Sequence, residues 1–335
     1  MVTVLPKAIC LVALAYLSGL TVQTSFANQT QDGILEPTNI SLSHRPWGHY
    51  PNPLVPANNP LTDAKIALGK RLFSETALSI TEQYSCASCH QPTNHFTDGQ
   101  PLAVGATGEM HTLNTPTLYN TAFNASYGWQ DEGITSLEQQ HMVPLTNSAP
   151  VEMGYSPYLL TKLANNQDYK ALFATAFPQP GTHHMDLLTT NNVVRALASY
   201  VRTLVAPPSA FDDFLFNDNR QALSINAQTG MALFFSERLG CSKCHASLGF
   251  SGSVVHTAQQ AQAVFHVTGV GGSKLAFRAP TLRQISNTAP YMHDGSLRTL
   301  EAVINHYENA SEIRLETFSL TAEERLALEE FLRAL

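Results

Sequence analysis

The sequence predicts a mostly α-helical chain made of two tandem, related units with long loops between the helices. Three observations predict it: an ordered set of motifs occurs twice, strand signals are few, and a proline pair interrupts the chain between the two copies. In the first copy, Leu68-Gly69-Lys70-Arg71-Leu72-Phe73 precedes a Cys-x-x-Cys-His run, and Thr115-Pro116-Thr117-Leu118 follows it. In the second, Gly230-Met231-Ala232-Leu233-Phe234-Phe235 precedes such a run, and Ala279-Pro280-Thr281-Leu282 follows. Gly-x-x-Leu-Phe, Cys-x-x-Cys-His and Pro-Thr-Leu thus recur in one order, which points to a duplicated architecture. Each Gly-x-x-Leu-Phe stretch reads as an amphipathic helix that ends shortly before the cysteines.

The break falls at Val205-Ala206-Pro207-Pro208-Ser209, where a helix expected over 191–204 meets the proline pair. This gives units at 61–205 and 210–335. Residues 28–60, rich in Pro and Asn, read as an extended arm over the surface, and 321–335 has the apolar spacing of a closing helix. The chain has 335 residues, 44% of them apolar, enough for two cores. Only 13% are charged and the net charge is −7 with no basic stripe, which argues against a nucleic-acid partner.

Residues 1–27 read as an export signal outside the fold: Lys7 is the positive start, 8–20 the apolar run, and Ser25-Phe26-Ala27 the small-x-small cleavage site. An uncleaved anchor is the alternative; no later segment looks transmembrane, so no stable span is expected after cleavage. Cys10 leaves with this segment. The four remaining cysteines form Cys86-Ala87-Ser88-Cys89-His90 and Cys241-Ser242-Lys243-Cys244-His245.

Cys-x-x-Cys-His is the attachment run of c-type haem. Cysteines three apart share one side of a helical turn, so both reach the vinyl groups of one porphyrin. The following histidine then offers its imidazole to the iron. Disulfides would leave the histidines unexplained, a zinc site needs no histidine after each pair, and a thioredoxin-like motif occurs once rather than twice. The sequence therefore predicts two covalently bound haem c groups, near the interface of two cytochrome domains, at Cys86, Cys89, His90 and at Cys241, Cys244, His245. Attachment of this kind needs export, which agrees with the signal and places the protein in the periplasm, with the cell surface as a further possibility.

With these residues in hand, the chain from about residue 50 to its end resembles the bacterial di-haem cytochrome c peroxidase family, and within it the MauG-like branch. The resemblance is carried by 68–73, 86–99, 114–118, 137–154 and 280–307, above all by Ala289-Pro290-Tyr291-Met292-His293-Asp294-Gly295-Ser296. The stretch 51–68 is most similar to the MbnH-type sub-branch. The resemblance implies that the N-terminal haem is the peroxide site, with an open or opening face, and that the C-terminal haem is six-coordinate and handles electrons.

The family's distal ligand to the second haem, counted from His293, falls on Tyr307; a phenolate there suits high-valent iron, where a Met would suit electron transfer. His306 and Met292 lie nearby as competing candidates. In the loop before Asn114, His111 and Met110 are the candidates for a removable ligand to the first haem; the resemblance favours an open face. It also implies Gln139 and Glu152 as the distal acid–base pair, Trp129 as an electron relay between the haems, and a calcium ion held by Asn114 and the carbonyls of Thr288 and Pro290. MauG-type members place a surface tryptophan just before the second haem run; here that position is Leu239.

Implied function is a peroxidase that uses hydrogen peroxide to form a high-valent haem pair and oxidise a partner protein, a Trp side chain being one target. The alternative is a cytochrome c peroxidase that reduces peroxide with electrons from a small cytochrome or copper protein. A non-enzymatic electron carrier needs neither the open face nor Glu152.

Overall fold

The computed structural model describes residues 34–35, 49–156, 158, 160–179, 184–252, 263–309 and 318–335. The expected signal segment 1–27 and most of the arm at 28–60 lie outside the described residues. The described chain is mostly helical, with two small antiparallel pairs: β1 (Ile34–Leu35) with β2 (Val55–Pro56), and β3 (Phe265–Val267) with β4 (Ala276–Arg278).

The first core is built on α1 (Asp63–Phe73) and α6 (Thr190–Val201), joined through α2 (Cys86–Cys89), α3 (Leu137–Thr146), α4 (Leu160–Ala164) and α5 (Gln167–Ala176). Helix α1 starts where the Thr62 hydroxyl accepts from the Lys65 N–H, with Asp63 in the first turn and Lys70 and Arg71 in the last, each sign suited to its end of the helix dipole. Leu68, Leu72 and Phe73 face Val193, Leu197 and Tyr200 in one cluster of buried side chains.

The second core is built on α7 (Ala210–Phe216), α8 (Ile225–Phe234), α9 (Leu300–Asn309) and α10 (Ala322–Arg333). Helix α10 opens with a capping box between Thr321 and Glu324. Its Leu328 and Phe331 pack with Phe211, Phe234 and Phe250. The two cores lie on either side of the 205–209 stretch.

Both cores use the repeated glycine in the same way. A Cβ on Gly69 would sit 1.9 Å from the Ala196 carbonyl oxygen, and a Cβ on Gly230 would sit 1.9 Å from the Ala327 carbonyl oxygen. Each glycine is therefore where the helix before the cysteines crosses its partner, α1 on α6 and α8 on α10, at backbone contact.

Candidate functional site

Each Cys-x-x-Cys-His run is a short helical turn closed by its own histidine. The His90 N–H donates to the Cys86 carbonyl and the His245 N–H to the Cys241 carbonyl, both at 2.9 Å. The chain then turns back on itself, with Gln91 bridged to Thr97 in one half and Ala246 to Ser251 in the other. This return brings a carbonyl to each imidazole. His90 Nδ1 donates to the Phe96 carbonyl at 3.1 Å, and His245 Nδ1 donates to the Phe250 carbonyl at 2.9 Å. Phe96 and Phe250 adopt φ of 60° and 50°, a left-handed conformation that non-glycine residues hold only when their surroundings enforce it.

The third repeated motif supplies that enforcement. The Thr117 hydroxyl donates to the His95 carbonyl at 2.7 Å, and the Thr281 hydroxyl to the Gly249 carbonyl at 2.5 Å, so Pro-Thr-Leu pins the residue before each phenylalanine. The ring of Phe96 meets Phe73 and Tyr119 edge-on, and that of Phe250 meets Phe211, Phe234 and Phe331. With Nδ1 donating, each imidazole is left with an Nε2 lone pair for a metal. Burial pushes both histidines below their usual pKa, against the nearby carbonyls of Phe96 and Pro116 or Phe250 and Pro280, which favours the neutral, ligating form.

The four cysteines are not cross-linked. Burial pushes the Cys86 thiol up to about 12 and the Cys89 thiol to about 11, which disfavours the thiolates a zinc site needs. Among the described residues no three His, Cys, Asp or Glu side chains gather as a metal site of their own. Two thiols and one Nδ1-anchored imidazole per half fit covalent haem.

The surroundings of the first run are polar. Glu152 is close enough for its charge to act on Cys86, Cys89 and His90. It faces His111, whose Nε2 lies 3.3 Å from Glu152 Oε1. Beside Glu152, the Met153 and Tyr155 N–H groups donate to the carbonyls of Pro144 and Leu145 on α3. Met110, next to His111, is exposed.

Gln139 is not where the sequence reading put it. Its Oε1 accepts from the N–H groups of Thr135 and Ser136 at 2.9 and 3.1 Å, closing the capping box of α3 on the exposed side. The reason is helical phase. Leu137, Gln140, His141 and Pro144 share the inward face of α3, and Gln139 is on the opposite one. Gln140, which sequence reasoning passed over, has its Oε1 buried with no partner in the protein. The Ser136-x-x-Gln139 capping pattern was the signal that would have told the two glutamines apart. His141 is a second omission: its Nδ1 donates to the Leu137 carbonyl at 2.6 Å, and it is near enough to His90 for their charges to interact.

The second run has an apolar, aromatic surround. Arg283 is buried beneath it, its Nη1 3.0 Å from the Asp212 carboxylate and its guanidinium 5.1 and 5.2 Å from the rings of Phe211 and Phe250. Tyr307 lies on α9 against this core. Of its two competitors, His306 donates from Nε2 to the Thr268 carbonyl at 2.7 Å, and Met292 has φ of 72° and packs on the second core. His266 on β3, which sequence reasoning did not single out, places Nδ1 3.5 Å from Cys244 Sγ. Leu239 is fully buried.

Trp129 joins the halves. Its indole N–H donates to the Arg278 carbonyl at 3.1 Å, its own carbonyl accepts from the Arg278 N–H at 2.9 Å, and its ring meets Phe277 at 5.8 Å. Phe277 in turn stacks on His293 at 4.3 Å. Asn114 makes the second junction. Its N–H donates to the His293 carbonyl at 2.7 Å, and its Nδ2 donates to the carbonyls of Gln100 and Pro101 at 2.8 and 3.1 Å. Thr288 is buried, and Pro290 follows a cis peptide bond.

Comparison with known proteins agrees with this geometry. The family model for di-haem cytochrome c peroxidase matches residues 63–220. The chain is 34% identical over 264 residues to a methylamine utilization protein MauG of Methylophilus methylotrophus, covering 76% of this chain and 75% of that one. It is 31% identical over 266 residues to a cytochrome c551 peroxidase of Pseudomonas aeruginosa, covering 75% and 73%. Among solved structures, a MauG-like protein associated with microbial copper homeostasis aligns with a TM-score of 0.78 and 30% identity over 85% of this chain and 93% of that one. The diheme peroxidase BthA from Burkholderia thailandensis, at 20% identity and a TM-score of 0.61 over 81% of this chain and 86% of that one, shares the fold.

Proposed function

Because the chain belongs to the di-haem cytochrome c peroxidase family, which includes the MauG proteins, we propose that it reacts with hydrogen peroxide at the N-terminal haem and passes the oxidation on to a partner protein. Cys86, Cys89 and His90 hold one haem and Cys241, Cys244 and His245 the other. When bound, the haems supply two electrons to peroxide and are re-reduced by the partner. Everything else is the work of the chain's own groups.

Glu152 accepts the proton of incoming peroxide and returns it to the departing oxygen, which leaves as the first water; the other oxygen becomes the second water once two further protons arrive, matching the two electrons. Gln140, with its buried Oε1, is the second distal group in place of Gln139. Tyr307 would help hold the second haem, and Trp129 would carry electrons between the halves. Asn114 Oδ1, with the carbonyls of Thr288 and Pro290, forms the hard-oxygen set for calcium. That assignment is supported by the seating of Asn114 on the loop that contains them. Residues 1–27 direct export, and the mature protein works in the periplasm; among the described residues no helix is long and apolar enough to cross a membrane.

The observation that carries this reading is the engagement of His111. Leu113 N–H occupies its Nδ1 and Glu152 its Nε2, so the loop histidine that would close the first haem in an ordinary cytochrome c peroxidase is spent. The test is to add peroxide to the fully oxidised protein and follow the optical and Mössbauer spectra of both haems. Reaction without prior reduction is expected. Turnover only after one haem has been reduced would favour the alternative, peroxide reduction with electrons from a small cytochrome or copper protein. Tyr307→Phe is expected to change the spectrum of the second haem alone.

A further inference from the structure

We infer that His111 is the positioning residue for Glu152, held in one tautomer by the backbone so that it donates to the carboxylate and leaves the second carboxylate oxygen for peroxide. The inference rests on the peroxidase reading above and adds to it a role for a residue whose other assignment was iron ligand.

The loop is built to deliver this imidazole. Val104 and Met110 form a bridge, Gly105 N–H donates to the Glu109 carbonyl at 2.8 Å, and His111 N–H donates to the Ala103 carbonyl at 2.8 Å. The loop is then fixed against the strand of chain that carries the acid. Ala106 N–H donates to the Glu152 carbonyl at 2.7 Å, and Val151 N–H donates to Glu109 Oε2 at 2.9 Å. Gly105 is so close that a Cβ there would lie 1.8 Å from the Val151 carbonyl oxygen. The register of His111 against Glu152 is therefore set by backbone contacts and not by the two side chains alone.

The tautomer follows from the partners. Leu113 N–H points at His111 Nδ1 from 3.0 Å, so Nδ1 presents its lone pair and the ring proton sits on Nε2. Nε2 faces Glu152 Oε1 at 3.3 Å, so the imidazole donates and the carboxylate accepts. Neither ring nitrogen then has a lone pair to offer iron.

Glu152 needs such a partner. A distal base must be ionised before peroxide arrives and must hold one rotamer while the proton leaves and returns. The Glu152 side chain is 27% exposed and has no other side-chain hydrogen-bond partner among the described residues, so water would otherwise compete for its orientation. A fixed N–H on one oxygen selects the rotamer.

The test uses the full-length protein with both haems. His111→Ala is expected to slow peroxide consumption by the fully oxidised protein about ten- to a hundredfold, while His111→Gln, whose amide still donates, stays within about threefold. The optical spectrum of the oxidised protein is expected to be the same in all three. In crystals, Glu152 is expected in one conformer in the wild type and in several in His111→Ala. A His111→Ala rate within about twofold of wild type overturns the inference, as does a single unchanged Glu152 conformer. A shift of the first haem from six- to five-coordinate in the variant overturns it too, because His111 would then have been a ligand. A wild type that ignores peroxide sinks the peroxidase reading instead, and the Glu152 conformers still decide the role of His111.

Discussion

The two halves hold their histidines in the same way and differ in what surrounds them. In both, a glycine lets two helices touch, a threonine pins a turn, and a phenylalanine carbonyl takes the Nδ1 proton of the histidine. Around the first run the structure puts titratable groups: Glu152 with its partner His111, and His141. Around the second it puts five phenylalanines, Phe211, Phe234, Phe235, Phe250 and Phe331, over a buried Arg283–Asp212 pair. The first surround carries a carboxylate and two histidines, and the second is mainly aromatic with His266 as the histidine beside Cys244. The difference teaches that the cradle sets where a haem goes, and the residues outside the cradle set what it does.

The largest expected effect tests whether the cradles are equivalent. Gly69→Val and Gly230→Val each force a side chain into a backbone carbonyl, and each is expected to cost about 3 kcal/mol or more in thermal or denaturant unfolding. A large loss in one half with none in the other would break the equivalence at its base. Next comes the polar half. Glu152→Gln is expected to slow the reaction with peroxide about a hundredfold to a thousandfold, and Gln140→Leu about tenfold. Gln139→Ala is expected to react at nearly the wild-type rate. If stopped-flow traces rank Gln139 above Gln140, the inward face of α3 has been misread.

The smallest effect concerns pH. Burial pushes His141 down to about 4 from its ordinary 6.5, so the folded chain keeps it neutral where the unfolded chain takes up a proton. Its contribution to stability is full above pH 6.5 and is lost progressively as pH falls towards 4. Helices α7, α8 and α10 of the second core contain no histidine. His141→Gln is therefore expected to flatten the loss of stability between pH 6.5 and 4 measured by urea unfolding, and an unchanged slope would remove His141 from the account.

Much of this was legible in the sequence, because the motifs that recur are the ones that make backbone contacts. The glycine, the haem run and Pro-Thr-Leu were each recognisable by type and spacing, and each proved to be a piece of the same cradle. The expected helices at 191–204 and 321–335 appear as Thr190–Val201 and Ala322–Arg333, the first opened by a Thr189 cap and the second by a Thr321 cap. The distal groups were harder. Gln139 and Gln140 are the same residue type side by side, and only the phase of α3 separates them. The pairing of His111 with Glu152 joins residues 41 apart through a loop register that no local pattern encodes. His266 comes within reach of Cys244 only because β3 folds over the second site.

The acceptor that orients each haem-run histidine is a main-chain oxygen. No side-chain replacement at position 96 or 250 can delete it. A mutation there can only shift it, by letting the turn relax out of its left-handed twist. The bond between imidazole and carbonyl is thus a setting the fold can tune in small steps, through ring size and turn tension, without ever being switched off.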